Sequence, residues 1–198
     1  MAAVHEPGKI GPNSIIQTVA ALEEAYGVRE ARAILMRGGA GDLPDHLPSA
    51  LIDEGDFHAL VEVLIGQIGA AAVTDILSRS GQRTSEYVFA NRIPPMARFV
   101  LRVLPPPLSL RVLLPAMKRH TWTFAGSGAF TCATGKAPWL AVSNPALFDT
   151  PAMAAAMCAY YRGAFEHMLR MLVSPRVMLR DVECQACGDR RCRYAIAW

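Results

Sequence analysis

The chain has 198 residues, of which 52% are hydrophobic and 19% charged, and its formal net charge is +3. This length and apolar fraction predict one globular domain with a full core, and they exclude a low-complexity disordered chain. Twenty Lys and Arg residues face seventeen Asp and Glu residues without a long block of like charge, which argues against a nucleic-acid partner. No apolar run reaches the roughly 18 residues that a membrane-spanning helix needs.

The N-terminus lacks a basic segment followed by an apolar one, so no secretory signal is predicted. We therefore expect a cytoplasmic protein whose five cysteines are reduced. The mean hydropathy is nevertheless positive. The apolar surplus is expected in a large core, a partner interface, an apolar ligand pocket or a patch at the membrane surface.

The first half of the chain is predicted to be helical. Residues 1–11 are predicted to be a flexible arm, and residues 12–198 a single domain. A first helix begins at Asn13 or Ser14, both good N-cap residues, and ends at Gly27. Asp56 is predicted to cap the third helix. The predicted helices span residues 14–26, 28–39, 57–68 and 70–91, followed by helical pieces within 96–119 that the prolines at 105–107 interrupt.

The pattern changes after His120. Short alternating segments predict strands at residues 121–124, 129–132 and 139–142. A helix capped by Asp149 or Thr150, with Pro151 at its first position, runs to about Leu172. Two final strands cover residues 177–184 and 193–198. The fold class predicted is α+β, with a helical N-terminal half packed on a small antiparallel sheet.

Three of the five cysteines crowd into the last fifteen residues, at Cys184, Cys187 and Cys192. Thiolates are soft ligands, and zinc takes four donors in a tetrahedron, so a C-x2-C pair with a third cysteine five residues later favours metal binding. Two alternatives remain at this point. The cysteines are buried, unreactive thiols, or the C-x2-C pair has a redox role.

The sequence VECQACGDRRC, residues 182–192, resembles the signature of the 4-vinyl reductase domain family. The resemblance extends over residues 12–198. It implies helices packed on an antiparallel sheet, and stand-alone members of this family belong to bacteriochlorophyll synthesis. Other members are the sensor domains of bacterial transcription activators, and subunits of a vesicle-tethering complex are distantly similar.

The resemblance also implies a structural zinc. Matched to the sensor branch, the ligands are Cys158 on the preceding helix, Asp181, Cys184 and Cys192, with Cys187 as a reserve ligand. In a regular strand Asp181 and Cys184 point to opposite faces, so a bulge or strand end is required for both to reach one ion. Four protein donors leave no open coordination position, which makes such a zinc structural.

The family name implies reduction of a vinyl group on a chlorophyll precursor, and that reaction needs a hydride or electron donor. The glycine-rich residues 37–42 lack the strand and spacing of a dinucleotide-binding motif and are better interpreted as the end of a helix. We therefore predict a carrier or accessory protein that binds a magnesium porphyrin or chlorophyllide and serves pathway enzymes. The alternatives are a true vinyl reductase and a small-molecule sensor.

A flat tetrapyrrole needs an apolar cleft with aromatic walls and a few polar anchors. The candidate ligand-binding residues are His120, Trp122, Phe124, Phe130, Trp139 and Tyr161. The competing interpretation is an exposed histidine and aromatic side chains that only fill the core. The resemblance further implies a homodimer, with the early helices as its interface.

Overall fold

The computed structural model describes residues 8–144 and 149–198. Within these residues the helices and strands are β1 (Lys9–Ile10), α1 (Asn13–Tyr26), α2 (Val28–Arg37), β2 (Ile52–Asp53), α3 (Glu54–Ile68), α4 (Ala70–Asn91), α5 (Pro95–Val103), α6 (Pro106–Arg119), β3 (Ala129–Ala133), β4 (Trp139–Ser143), α7 (Pro151–Leu172), β5 (Met178–Glu183) and β6 (Cys192–Ala197). The α+β class predicted from the sequence is confirmed.

The main sheet has four antiparallel strands in the order β3-β4-β6-β5. Its strands alternate between two faces, as the strand period of two requires. The inner face contributes Leu140, Val142, Tyr194 and Ile196 to the core. Along β6 the intervening residues are only half-buried, so the sheet has a packed face and an outer face.

The helical layer is built around the contact between α4 and α7. The two backbones approach so closely that a Cβ at Gly81 would overlap the carbonyl oxygen of Tyr160. A Cβ at Gly163 would likewise overlap the carbonyl oxygen of Ser78. Glycine is required at both positions because no side chain fits between the helices.

Several helix boundaries agree with the prediction. The first helix begins at Asn13 and ends before Gly27, and α4 spans the predicted residues 70–91. Thr150 caps α7, accepting a hydrogen bond from the Met153 amide. Asp56 is not the cap of α3, which begins two residues earlier at Glu54.

The strand predicted at residues 121–124 is wrong. Residues Thr121–Thr123 form a short 3₁₀ helix directly after α6. The hydroxyl of Thr121 donates to the Lys118 carbonyl, and that of Thr123 donates to the His120 carbonyl. These local bonds keep the chain in helical turns and compete with strand pairing, although the alternating pattern suggested a strand.

The predicted flexible arm at residues 1–11 also needs correction at its end. Lys9 and Ile10 form β1 and pair with β2. Residues 1–7 of the predicted arm lie outside the described residues. Ile10 is buried, so hydrophobic contact as well as backbone pairing fixes this segment.

The buried carboxylate of Glu54 links the N-terminal segment to the loop before β3 and to the end of β4. It accepts hydrogen bonds from the Gly8 amide, from the amide and hydroxyl of Ser127, and from the Asn144 side chain. Burial opposes ionisation of the carboxyl, but these donors outweigh it and hold the pKa of Glu54 below its ordinary value. A Cβ at Gly126, where φ is +56°, would collide with the same carboxylate.

None of the helices among the described residues is long and apolar enough to cross a membrane.

Candidate metal and ligand sites

Three cysteine sulfurs converge where α7 meets the β5–β6 hairpin. Cys158 lies on α7, Cys184 directly after β5, and Cys192 at the start of β6. Their sulfur atoms all lie within 4.8 Å of one another, and we call these residues the cysteine cluster. The Cys158 and Cys184 sulfurs are 3.6 Å apart. Cys158 and Cys192 form a disulfide, with a Cα–Cα distance of 6.5 Å, whereas the sequence predicted reduced thiols.

The cluster has donors of the type that zinc prefers. Zn–S bonds of about 2.3 Å place tetrahedral sulfur ligands about 3.8 Å apart, close to the separation of Cys158 and Cys184. Metal binding requires thiolates, so the disulfide and metal ligation by the same two cysteines exclude each other. In the reduced state three thiolates from two structural elements fit one ion.

The fourth predicted ligand, Asp181, is not part of the cluster. The register of β5 against β6 shifts between Asp181 and Glu183, which is the irregularity that the sequence analysis required. The Asp181 carboxylate, however, pairs with the Arg162 guanidinium at 2.9 Å.

The reserve ligand Cys187 is exposed, in the short 3₁₀ turn Gln185–Cys187. A hydrogen bond with the Cys184 sulfur raises the pKa of its thiol above the ordinary value. Cys187 is thus next to the cluster, whereas Asp181 is held by an arginine.

The loop that carries these cysteines is fixed by its own contacts. The Asp189 carboxylate accepts a hydrogen bond from the Cys184 amide at 2.7 Å, and Gly188 adopts a φ of +93°, which favours glycine. The Tyr194 hydroxyl donates to the Cys158 carbonyl at 3.1 Å and so ties β6 to α7. The sulfurs are therefore positioned by the hydrogen-bonded hairpin loop and by helix α7.

A polar groove of about 520 Å³ opens beside the cysteine cluster, between α4, α7 and the cysteine loop. Its charged wall is already paired, because Glu166 forms ion pairs with both Arg162 and Arg170. A large apolar ligand would have to displace these ion pairs, which makes the groove a poor match for a tetrapyrrole.

Three of the predicted ligand-binding aromatic residues belong to the core or pack directly against it. Phe130 and Tyr161 are buried, and Phe124 is partly buried. Their ring centroids lie 5.6 to 5.8 Å from that of Phe165. The Tyr161 hydroxyl donates to the Phe124 carbonyl at 2.9 Å, and burial raises the pKa of Tyr161. The structure thus gives these residues the core role that the sequence analysis held as the alternative.

His120 and Trp122 lie on the surface at the end of α6. Nδ1 of His120 lies 3.0 Å from the Ala116 carbonyl oxygen, within the last turn of the helix. The Trp122 side chain is exposed. Neither residue lines the polar groove or a second groove, which lies on the outer face of the sheet.

Trp139 is the predicted ligand residue that does line a groove. This groove of about 440 Å³ lies on the outer face of the sheet, and we call it the sheet groove. Its lining residues are Lys136, Ala137, Pro138, Trp139, Val182, Arg193, Ala195, Ile196, Ala197 and Trp198. Three alanines and two tryptophans are among these lining residues.

Cations surround the Trp139 ring. The guanidinium groups of Arg191 and Arg193 lie 5.5 Å and 5.8 Å from the ring centroid. Both arginines also bond to Glu183, and the hydrogen bond from Arg191 lowers the pKa of that carboxyl. With Lys136, three cations face one carboxylate here, which favours an anionic ligand.

The sequence analysis missed Lys136, Arg193 and Trp198. The signal was present in β6, where buried Cys192, Tyr194 and Ile196 alternate with half-buried residues. Because of that alternation, Arg193, Ala195 and Ala197 share the outer face of the sheet. The missing information was that β4 lies beside β6 and brings Trp139 to the same face.

Comparison with known proteins defines the class. The V4R domain model matches residues 141–197, which contain the motif that resembles the 4-vinyl reductase family. The matched region runs from β4 through α7 to β6, so it includes the whole cysteine cluster.

Two curated relatives extend the match to most of the chain, and both are called bacteriochlorophyll synthase 23 kDa chain. The relative from Cereibacter sphaeroides is 34% identical, over 95% of this chain and 90% of its own. The relative from Rhodobacter capsulatus is 31% identical, over 95% of this chain and 86% of its own. The chain therefore belongs to the V4R-domain family of these bacteriochlorophyll synthase 23 kDa chains.

A solved structure from a study of heme distortion in the H-NOX family has a similar fold. The TM-score is 0.60 at 14% sequence identity, and the match covers 96% of this chain and 95% of that one. At this identity the likeness shows a shared fold, because one fold supports many functions.

Proposed function

We propose that the protein binds a magnesium porphyrin or chlorophyllide intermediate of bacteriochlorophyll synthesis and acts as a carrier for the pathway enzymes. Its family supports involvement in this synthesis, since both curated relatives are named as chains of bacteriochlorophyll synthase. The carrier role is the finer part of the proposal and rests on the chemistry of the sheet groove.

The observation that carries the proposal is that small apolar residues, two tryptophans and cations line the same groove. Ala195 and Ala197 are half-buried and have small side chains, so they leave room for a planar ring over the strand. Trp139 and Trp198 supply aromatic faces for stacking. Arg193 and Lys136 match the propionate carboxylates of a tetrapyrrole, since guanidinium and ammonium groups bind carboxylates by charge-assisted hydrogen bonds.

We also propose that the reduced cysteine cluster holds one structural zinc, with Cys187 or Asp181 as the fourth ligand. Such an ion would join α7 to the β5–β6 hairpin. The same hairpin carries Val182, Arg193 and Trp198 of the sheet groove. The metal would thus support the groove from the opposite side of the sheet without touching the ligand.

A titration tests the carrier role. Purified protein is titrated with divinyl and monovinyl magnesium tetrapyrroles, and binding is followed by pigment absorption and tryptophan fluorescence. We expect Trp139→Ala to weaken binding about tenfold or more, because one stacked aromatic contact contributes about 0.5–1.5 kcal/mol beyond its buried area. The matched control is Trp122→Ala, which removes an exposed tryptophan outside the groove and should leave the affinity unchanged.

The same titration with NADPH separates the carrier from the vinyl reductase. Conversion of the divinyl to the monovinyl pigment would contradict the carrier role. Equal loss of affinity in the Trp139→Ala and Trp122→Ala proteins would reject the sheet groove as the binding site. Absence of pigment binding in the wild-type protein would reject the proposal as a whole.

Metal analysis of reduced protein tests the zinc site. Cys184→Ser and Cys192→Ser should each lose the bound zinc, whereas Cys132→Ser, outside the cysteine cluster, should keep it. Comparison of Cys187→Ser with Asp181→Asn identifies the fourth ligand. Full zinc content in both the Cys184→Ser and the Cys192→Ser protein would overturn this part of the proposal.

A further inference from the structure

We propose that α5 and α6 form a surface that docks the protein peripherally on an anionic lipid bilayer. Its apolar side chains are Met96, Phe99, Val100 and Val103 of α5 with Leu108 and Val112 of α6, and we call them the α5–α6 face. The two helices are consecutive and contact each other. The surface lies on elements other than those of the sheet groove and the cysteine cluster, so the proposal stands apart from the tetrapyrrole site.

The apolar stripe of α5 points into solvent. Met96, Phe99, Val100 and Val103 follow the i, i+3, i+4, i+7 spacing of one helix face. Their exposed fractions are 71%, 61%, 42% and 62%, whereas Leu101 is the one buried residue of the helix. In a globular protein such a stripe normally packs on the core, so its exposure needs a partner.

The polar side chains of α5 lie against the body of the protein. Arg98 and Arg102 each place their guanidinium 4.9 Å from the centroid of the Phe89 ring. Arg102 also donates to the Met171 carbonyl at 2.9 Å. These contacts fix the orientation of the helix. The apolar stripe therefore faces solvent, because it lies on the side opposite the arginines.

Helix α6 also exposes apolar side chains, but fewer of them than α5 does. In α6 the residues Leu110, Leu113 and Leu114 are buried, while Leu108 and Val112, one turn apart, are exposed. Arg111 lies beside Val112, and Lys118 and Arg119 end the helix. Apolar and cationic side chains thus share the exposed part of the helix.

The segment that contains both helices carries charge of one sign. Residues 87–148 contain seven Lys or Arg residues and no Asp or Glu, although the whole chain has a net charge of only +3. Arg98 and Arg102 of this segment turn back to Phe89. Its other cations on or next to the two helices are exposed to solvent, namely Arg92, Arg111, Lys118 and Arg119. Within the described part of the chain none of them pairs with a carboxylate.

This combination matches the interface of an anionic bilayer better than other partners. Interfacial helices insert apolar side chains at the level of the lipid headgroups while Lys and Arg bind the anionic lipids. A second copy of the chain would bring two sets of unpaired cations together, which repel one another. A nucleic acid would attract the cations but would leave Met96, Phe99 and Val103 exposed to water.

Vesicle flotation with the full chain tests the proposal. The probes are vesicles of pure phosphatidylcholine and vesicles in which about a third of the lipid is phosphatidylglycerol. We expect binding to the anionic vesicles only, reduced at high salt. The Phe99→Gln/Val103→Gln protein should lose binding about tenfold or more, because two apolar anchors are removed. The matched control, Val28→Gln/Met36→Gln, changes two similarly exposed residues of α2 and should bind like the wild type.

A second pair of variants tests the charge. Arg111→Gln/Arg119→Gln should weaken binding about thirtyfold, since each basic residue near an anionic surface contributes about 1 kcal/mol. The control Arg29→Gln/Arg176→Gln changes two exposed arginines elsewhere and should have little effect. Near-ultraviolet circular dichroism and thermal melting establish that each variant is folded.

Three outcomes would overturn the proposal. The wild type fails to bind anionic vesicles, or it binds neutral and anionic vesicles equally, or the α5–α6 variants bind as well as their controls. Light scattering is measured on the same proteins. A wild-type dimer that Phe99→Gln/Val103→Gln converts to a monomer would assign the face to a second copy of the chain instead.

Discussion

The two faces of strand β6 have different roles. On the inner face, Cys192, Tyr194 and Ile196 are buried against α7 and the rest of the core. On the outer face, Arg193 and Ala195 are half-buried and line the sheet groove. One strand therefore packs the core with alternate residues and lines the sheet groove, the proposed binding surface, with the others.

The difference separates stability from binding along a single strand. Substitutions on the inner face should unfold the protein, and substitutions on the outer face should change only what it binds. Matched substitutions on the two faces test this separation.

Tyr194→Ala should cause the largest loss of stability. The side chain is buried, so truncation leaves a cavity, and it also removes the hydroxyl that donates to the Cys158 carbonyl and ties β6 to α7. We expect the free energy of unfolding to fall by about 4 kcal/mol, measured by urea denaturation. The adjacent outer-face variant Arg193→Ala should lose less than about 1 kcal/mol. Similar losses in both proteins would contradict the separation of the faces.

Glu54 also stabilises the fold, at the end of the sheet formed by β3 and β4. It bonds there to Ser127 and Asn144. Its folded-state pKa is lowered by hydrogen bonds, so its contribution to stability is present above the pKa of the unfolded chain. That contribution is lost as the pH falls through the lower, folded-state pKa. The unfolding free energy of the wild type should therefore decrease on acidification below about pH 4.5, near the ordinary glutamate pKa.

Glu54→Gln should be less stable at neutral pH by about 2 kcal/mol, and its stability should depend less on pH in that acidic range. The matched control is Glu183→Gln. The pKa of Glu183 is also lowered, by Arg191 and Arg193, but solvent screens these ion pairs at the surface. If Glu183→Gln flattened the pH profile as much as Glu54→Gln did, the carboxylate network around Ser127 and Asn144 would not have the role assigned to it.

Arg193→Gln should change binding and leave folding intact. The arginine lines the sheet groove and lies beside Trp139, where it can bind a propionate. We expect the affinity for magnesium protoporphyrin to fall about tenfold, as for loss of one charge-assisted contact, with the melting temperature nearly unchanged. Unchanged affinity would place the pigment elsewhere on the protein.

Much of the fold follows from local sequence signals. Gly27 ends α1, and Thr150 caps the start of α7. Pro95 and Pro106 take the first positions of α5 and α6, where the missing amide hydrogen of proline costs no helical bond. Residues 121–124 alternate like a strand, but threonine hydroxyls hold them in helical turns. Periodicity alone does not contain that competition between side-chain and backbone hydrogen bonds.

The candidate sites were predictable to the extent that their residues are close in sequence. Cys184 and Cys192 belong to one motif, and Cys158 was assigned through the family resemblance; the structure brings these three sulfurs together. The sheet groove depends on the placement of β6 between β4 and β5, which the sequence does not specify. Trp139 was therefore grouped with Phe130, although the two rings lie on opposite faces of the sheet.

Of these substitutions, Lys136→Gln should change ligand affinity the least. It tests how much the lysine of the sheet groove contributes to binding. Its ammonium is a strongly hydrated point charge on a flexible stem, so it should contribute less than the planar guanidinium of Arg193. We expect the affinity for magnesium protoporphyrin to fall about threefold at low salt, and this difference should disappear at high salt because exposed charges are screened. Lys118→Gln, which removes a lysine of α6 outside the sheet groove, is the matched control and should bind pigment normally at both salt concentrations. A salt-independent loss for Lys136→Gln would instead indicate a close, desolvated contact, and Lys136 would then rank with Arg193 as an anchor of the ligand.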